Sequence, residues 1–208
     1  MAYQRADHYH QRAKREGFRS RAAYKLEEIQ RAHGLLRPGQ RVVDLGCWPG
    51  GWLQVAARVV GARGRVVGVD LAAIEPALDN ANVIAFEGDI TEAPVVKRIL
   101  GALGGPADVL LSDAAPKLSG IRVADRAREE ALLEAIEARV PELLAPGGSL
   151  LVKLLDCPEA EQVARRLRAR FEKARVLKPR ATRKGSTERY LLARGYRGPA
   201  ESGSEPTG

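Results

Sequence analysis

Cysteine is scarce in this chain. Only Cys47 and Cys157 occur among 208 residues, far apart and without metal-type spacing. A disulfide framework and a cysteine-ligated metal are both excluded, and a reducing cytoplasm is the expected compartment. Histidine is also rare, at three residues. His8 and His10 lie together near the N-terminus with no further ligands beside them, so no metal site is expected. No apolar run approaches the roughly 20 residues that a bilayer requires, which excludes a spanning helix. Residues 1–15 are polar and mixed in charge, so neither a secretory signal nor a lipid anchor is expected. There is no internal repeat. The length fits one domain with a substantial core.

What the chain does have is positive charge, unevenly placed. The formal net charge is +8. Residues 165–197 hold 13 Lys/Arg against two acids, Glu172 and Glu188, and residues 1–37 hold nine against four. The middle of the chain is therefore net acidic. Basic ends around a less basic body suit a polyanion held across a surface built from both termini. An arginine-rich solvated surface would give the same totals, so charge alone leaves nucleic acid and solvent as equal readings.

Short β-rich runs alternate with longer helical stretches through the centre, the pattern of an α/β fold with a parallel sheet covered on both faces. The expected strands are 41–45, 66–70, 83–87, 108–112 and 149–154, most of them apolar enough for burial on both sides. Helices are expected at 51–60, 93–103 and 126–144. The last carries Leu132, Ile136, Val140 and Leu143 on one face, and Pro146-Gly147-Gly148 is expected to stop it and turn the chain into the next strand. A helix at 158–171 follows. Strands 174–178 and 189–193, joined by the basic loop 179–187, are expected to form an antiparallel hairpin at the end of the sheet. Helix 20–33 precedes the sheet, with Ser20 as N-cap and Gly34 as its stop. Residues 198–208 are expected to be a disordered tail.

Val42-Val43-Asp44-Leu45-Gly46-Cys47-Trp48-Pro49-Gly50-Gly51-Trp52 reads as a strand, a glycine turn and a helix. Asp70 ends the next strand about 20 residues later, where a carboxylate can accept from two ribose hydroxyls. Dinucleotide sites use G-x-G-x-x-G with pyrophosphate at a helix N-terminus. The spacing here, Gly46 then Gly50-Gly51 with Asp44 in front, suits S-adenosylmethionine, which has no phosphates. Its amino and carboxylate groups can use an acidic residue and free backbone N–H groups. Asp89, after the third strand, is placed to accept from the adenine amino group. A glycine turn can also serve only to pack a helix on a strand. The glycine set together with Asp70 and Asp89 favours nucleoside binding over that reading.

Lys25, Asp113, Lys153 and Glu188 lie in separate segments. Two lysines and two carboxylates are a poor set for hydrolysis or redox chemistry, and a good set for taking a proton from a ribose hydroxyl beside a methyl donor. Lysine can act as base only with a lowered pKa, which burial or a second ammonium provides. Lys25 is read as supplying that like charge, Asp113 as positioning Lys153, and Glu188 as orienting Lys25 or the substrate hydroxyl. Each has an ordinary reading: a solvated helix lysine, a turn cap, a surface pair with Arg189. Lys153 resists it most, because it ends the run Leu150-Leu151-Val152 and buried lysines are rare without a partner. Open α/β sheets bind ligands at that strand edge.

The segments Ser20–Leu26, Asp44–Trp52, Ser112-Asp113-Ala114-Ala115-Pro116-Lys117-Leu118-Ser119-Gly120, Leu151-Val152-Lys153 and Ser186-Thr187-Glu188-Arg189-Tyr190 together resemble the RrmJ/FtsJ family of S-adenosylmethionine-dependent RNA ribose 2′-O-methyltransferases. The resemblance runs from about residue 19 to 194. It implies a single Rossmann-like methyltransferase domain: a mostly parallel seven-stranded sheet, one antiparallel strand near the C-terminal end, and helices on both faces. It implies a K-D-K-E tetrad at Lys25, Asp113, Lys153 and Glu188, and donor contacts at Gly50, Trp52, Asp70, Asp89 and Asp113. Cys47 and Trp48 stand where the family commonly has small residues; Trp48 would either narrow the donor pocket or pack outward. The short length resembles members acting on large-subunit rRNA, so the expected substrate is a uridine of 23S rRNA, free or in the assembled subunit, and a monomer is the default.

The expected organisation is a basic N-terminal segment at 1–18, the methyltransferase domain at 19–197 and the tail. Lys14, Arg15, Arg19, Arg21, Arg180, Arg183 and Lys184 are candidate phosphate contacts. Phe18 and Tyr24 are candidates either for base stacking or for core. Cys47 is not expected to be a nucleophile. Three rival readings stand beside this one: a tRNA or cap substrate, a catalytically silent RNA-binding assembly factor, and a dehydrogenase, the last disfavoured by the glycine spacing.

Overall fold

The computed structural model describes residues 8–116, 119–154, 158–183 and 185–199. Lys117, Leu118, Leu155, Cys157, Lys184 and the tail from residue 200 lie outside them. The elements in chain order are α1 (His8–Arg15), α2 (Ala23–His33), β1 (Arg41–Leu45), α3 (Gly51–Val60), β2 (Arg65–Asp70), β3 (Val83–Glu87) and α4 (Ala93–Leu103). There follow β4 (Ala107–Ser112), α5 (Arg122–Leu143), β5 (Leu144–Leu154), α6 (Pro158–Ala169), β6 (Phe171–Leu177) and β7 (Arg189–Tyr196).

Strand alternation sends successive side chains to opposite faces of the sheet. Val43, Leu45, Leu110, Leu150 and Val152 join the apolar stripes of α4, α5 and α6 in one core. Val42, Val109, Leu111 and Leu151 join α2 and α3 in the other. Full burial of such a Val or Leu contributes about 1.5–3 kcal/mol, so both layers stabilise the strands they sandwich.

The sheet order is β3-β2-β1-β4-β5-β7-β6. The first five strands are parallel. Strand β7 runs antiparallel to both β5 and β6. The strand order reverses between β1 and β4, which is where an open α/β sheet leaves a crevice at the C-terminal strand ends.

Several boundaries differ from expectation. Ser20 does not cap α2: the helix starts at Ala23 with no side-chain cap, while Gly34 in the left-handed conformation does end it. Helix α5 begins at Arg122 and ends at Leu143, with the Leu144 N–H still bonded to the Val140 carbonyl. Pro146-Gly147-Gly148 therefore does not stop it. Those residues lie within β5 as an irregular stretch, where pairing jumps from Ala107–Leu144 to Val109–Ser149. Along α5 it is Leu133, more than Leu132, that enters the core. The edge strand β3 is largely exposed, not buried on both faces, and the other edge strand, β6, is exposed as well. Helix α1 was not expected from the sequence. Its Ala13 packs with Tyr24 and Ala181. Among the described residues no helix is long and apolar enough to cross a membrane.

Candidate active site

Three strand ends and one helix bring the lysines and carboxylates together. Lys153 is the penultimate residue of β5 and pairs in register with Tyr190 of the antiparallel β7. Glu188 directly precedes β7, Asp113 directly follows β4, and Lys25 lies in the first turn of α2. The end of β4 is tied to the end of β1 by the Ser112 hydroxyl, which donates to the Leu45 carbonyl at 2.8 Å.

The four side chains form one cluster. Lys25 Nζ donates to Glu188 Oε1 at 3.2 Å and to Asp113 Oδ2 at 3.4 Å. Lys153 Nζ donates to the Asp113 carbonyl at 2.6 Å and lies 3.2 Å from Asp113 Oδ1 and 3.6 Å from Glu188 Oε1. Lys25 is only 6% exposed. Burying an ammonium costs several kcal/mol unless it is paired and hydrogen-bonded. Here two cations are balanced by two anions, and each carboxylate reaches both lysines.

Tyr190 belongs to the Ser186–Tyr190 segment, yet the sequence assigned it no role. Its buried hydroxyl accepts from Lys25 Nζ at 2.9 Å and donates to Asp113 Oδ1 at 2.6 Å. Burial and the neighbouring Asp113 push its pKa far up, so it remains a protonated donor. The available signal was its spacing, two residues from Glu188 and thus on the same face of an extended chain.

The donor turn lies beside this cluster. Gly46 has φ of 79°, and a Cβ there would meet the Ala114 side chain at 2.4 Å, so glycine is needed for the approach of the β4 loop. Gly50 has φ of 106° and is the N-cap of α3, which Gly51 begins. Asp44 is 1% exposed, and neither carboxylate oxygen has a hydrogen-bond partner. Burial, then Asp113 and Asp70, hold its pKa well above the ordinary carboxylate value. A buried, unpaired acid at the switch crevice fits a ligand that brings a cation, as the amino group of S-adenosylmethionine would. Asp70 Oδ2 accepts the Trp48 N–H at 2.9 Å and Oδ1 accepts the Ala72 N–H at 3.0 Å, fixing its carboxylate at the mouth. Asp89 is held by Thr91, whose N–H and hydroxyl donate to Oδ1 and lower its pKa.

Trp52 is placed differently from a donor-contacting side chain. Its indole is buried, donates to the Ala22 carbonyl at 2.8 Å and lies 5.9 Å from the Tyr190 ring, so only its backbone can face a donor. Trp48 packs outward and is 59% exposed. Cys47 is buried and its thiol pKa is pushed up by burial, then by Asp44 and Asp70, which suits packing, not nucleophilic attack.

The phosphate-contact candidates divide. Lys14, Arg15, Arg180 and Arg183 are exposed, and Ala13 of α1 packs with Ala181 of the basic loop. Arg19 is occupied, its guanidinium donating to the Pro76 and Ala77 carbonyls, the latter at 3.0 Å. Arg21 donates to the Ala181 carbonyl at 2.7 Å, so it secures the basic loop to α2. Lys184 falls outside the described residues. Tyr24 is buried, donates to Glu16 at 2.9 Å and packs on Phe18, which makes it core and not a stacking platform. Among the described residues no group of three or more His, Cys, Asp or Glu could hold a metal.

A family model described as FtsJ-like methyltransferase matches residues 18–196. A ribosomal RNA large subunit methyltransferase E from Pseudomonas aeruginosa is 45% identical over 193 residues, covering 92% of each chain. One of the same name from Methanothermobacter thermautotrophicus is 43% identical over 198 residues, covering 95% of this chain and 93% of its own. A crystal structure of a Plasmodium falciparum ribosomal RNA methyltransferase matches with a TM-score of 0.76 and 26% identity, over 88% of this chain and all of the other. The fold is also that of Aeropyrum pernix fibrillarin, which was solved with S-adenosyl-L-methionine bound, at a TM-score of 0.60 and 16% identity over 84% of this chain and 74% of the other. On the family match, the identity to these relatives and the coverage of nearly the whole chain, this protein belongs to the FtsJ-like methyltransferase family.

Proposed function

We propose that this protein methylates a ribose 2′-hydroxyl, on a uridine of 23S-type rRNA in the large ribosomal subunit, with S-adenosylmethionine as donor. The observation that carries the reading is the largely buried cluster of Lys25, Asp113, Lys153 and Glu188, whose Asp113 lies near enough to the unpaired Asp44 to raise its pKa. The donor, when bound, supplies an electrophilic methyl carbon. Asp44, Gly46, Gly50, Gly51, Asp70 and Asp89 would hold it, with Asp113 between donor and acceptor.

The chain's own part is to align the 2′-oxygen and to take or orient its proton, the contribution expected of a positioned general base. Lys153 has that role. Its amine takes the hydroxyl proton and becomes the ammonium that the Asp113 carbonyl and carboxylate hold from one side, and Glu188 orients Lys25 and the incoming hydroxyl. Residues 19–197 form the catalytic unit. The exposed Lys14, Arg15, Arg180 and Arg183 bind phosphate, where they raise affinity without reading sequence. We read the enzyme as a cytoplasmic monomer.

The names of the relatives support an rRNA substrate over tRNA. Methyl transfer from labelled donor is the test, run in parallel on large subunits from cells lacking this protein, on their free rRNA and on tRNA. Label on the subunits is the expected result. Label on tRNA alone would replace the substrate assignment, and donor binding without transfer to any RNA would favour a silent RNA-binding factor.

A further inference from the structure

The surplus of cations between residues 165 and 197 splits into two groups with different partners. On the α5–α6 side Arg166, Arg168 and Arg170 face carboxylates. Arg166 meets Glu137 at 2.7 Å and Glu134 at 3.2 Å, Arg168 meets Glu161 at 2.9 Å, and Arg170 lies 3.9 Å from Glu137. Along β6 the pattern reverses. Lys173, Arg175, Lys178 and Arg180 are exposed, and among the described residues none has a carboxylate within ion-pair distance. Glu172, the one acid of β6, lies against Gly195 and so, by strand alternation, faces away from Lys173 and Arg175.

The unpaired cations share one face and run in one direction. Lys173 pairs in register with Arg194, Arg175 with Leu192 and Leu177 with Tyr190. Leu192 and Tyr190 pack in the core beneath α2 and α3, so Lys173 and Arg175 stand on that side of the sheet. Tyr190 marks the catalytic edge, while Arg194, opposite Ser149, marks the other end of β5. Four residues of strand separate them, about 14 Å. Arg194 donates to the His33 carbonyl at the end of α2. Arg175 and Arg194 lie near enough to His33 to add to burial in lowering its pKa. Beyond Arg194 an open cleft of about 310 Å³ is lined by Arg37, Gln40, Gly147, Ser149 and Arg194. Asp108, its single acid, already accepts the Arg41 N–H at 2.7 Å and lies 3.9 Å from the Arg41 guanidinium.

We propose that Lys173, Arg175 and Arg37 form a second RNA-docking track, leading from the catalytic edge down β6, past the half-buried Arg194 held by the His33 carbonyl, to the cleft at the opposite edge of the sheet. It takes the phosphate backbone of an rRNA segment remote from the target ribose. The proposal rests on the rRNA reading above and extends it from the reacting nucleotide to a folded substrate. Exposed cations without carboxylate partners keep their full attraction for phosphate, and the counterions they release give binding a salt dependence. The paired arginines of α6 add to net charge but not to this track. A substrate held at both edges has its target ribose fixed by more than the local contacts around Glu188.

The test compares two triple variants that remove the same charge. Arg37→Gln/Lys173→Gln/Arg175→Gln alters the track, and Arg63→Gln/Lys97→Gln/Arg165→Gln alters exposed cations elsewhere. The track variant is expected to raise KM for large subunits at least tenfold with kcat and donor affinity unchanged. In direct rRNA binding without donor, its plot of log affinity against log salt should be shallower by about 2, at roughly 0.7–0.9 for each phosphate that the variant leaves unneutralised. The control should change KM less than twofold. A track variant with wild-type KM and salt slope, or a control that matches it, would overturn the proposal. Failure of the wild type to methylate any RNA would count against the activity instead, since the binding slope judges the track alone.

Discussion

Asp44 is a carboxylate with no partner in the core, and its cost has a pH signature. Its folded pKa is raised above the ordinary value of 3.8 by burial and by Asp113 and Asp70. Between those two values the folded state holds a proton that the unfolded chain has released, so stability is full below about 3.8 and falls as pH rises toward the folded pKa. Asp44→Asn should flatten that fall in the donor-free protein, read as Tm against pH. It should also weaken donor binding at least tenfold, since the amide offers no charge to an ammonium. Equal pH slopes in the two proteins would contradict the assignment. Tyr190→Phe probes the buried hydroxyl between Lys25 and Asp113. Removing a donor to Asp113 and an acceptor from Lys25 leaves two charged groups short of a partner, at about 1–3 kcal/mol. We expect kcat to drop about 5- to 150-fold, with donor affinity unchanged and the pH profile displaced. A shift in donor affinity with kcat intact would place Tyr190 in the donor site instead. At this scale the sequence was informative about charge and silent about partners. Lys153 could be singled out because a lysine ending an apolar strand needs a reason to be there. Arg19 and Arg21 were read as free for phosphate, yet they bind backbone carbonyls of loops 57 and 160 residues away in the chain. No local pattern encodes such a contact.

At the scale of elements, the basic loop between β6 and β7 is positioned by α2. Glu28 accepts the backbone N–H groups of Arg180 at 2.9 Å and Ala181 at 3.2 Å, while Arg21 holds the Ala181 carbonyl. The loop leads directly into Glu188, so its anchoring also fixes one corner of the cluster. Glu28→Ala should cost about 1–2 kcal/mol, lower Tm by about 2–8 °C and speed tryptic cleavage within residues 178–189. An unchanged cleavage rate would show that the loop is held by other contacts. Elements with clear physical punctuation were legible in advance. β1, β3, α3 and α4 have the bounds expected from the sequence, each a compact run flanked by turn formers. Where punctuation is ambiguous the reading failed. Pro146-Gly147-Gly148 looks like a helix stop, but it serves equally well as an irregularity inside β5. Helix α1 was missed because its apolar contacts are with Tyr24 and Ala181, which are distant in sequence.

For the whole molecule, charge and catalysis share one architecture. The switch between β1 and β4 opens the donor crevice. The antiparallel β7, inserted between β5 and β6, brings Tyr190 and Glu188 to Lys153 and leaves β6 as an exposed basic edge. The class of fold was readable because alternating strands and helices leave few arrangements. The insertion of β7 between β5 and β6, which builds the cluster, is a long-range pairing that hydrophobic periodicity does not specify. The proposed role of Lys153 is in transfer to a ribose oxygen. The most direct measurement maps the methyl group on labelled large-subunit rRNA by resistance to alkaline cleavage, with wild type beside Lys153→Ala. One resistant linkage is expected, formed by wild type and reduced at least 100-fold in the variant while donor binding persists. Label on a base with the backbone still cleaved, or a fully active Lys153→Ala, would contradict it.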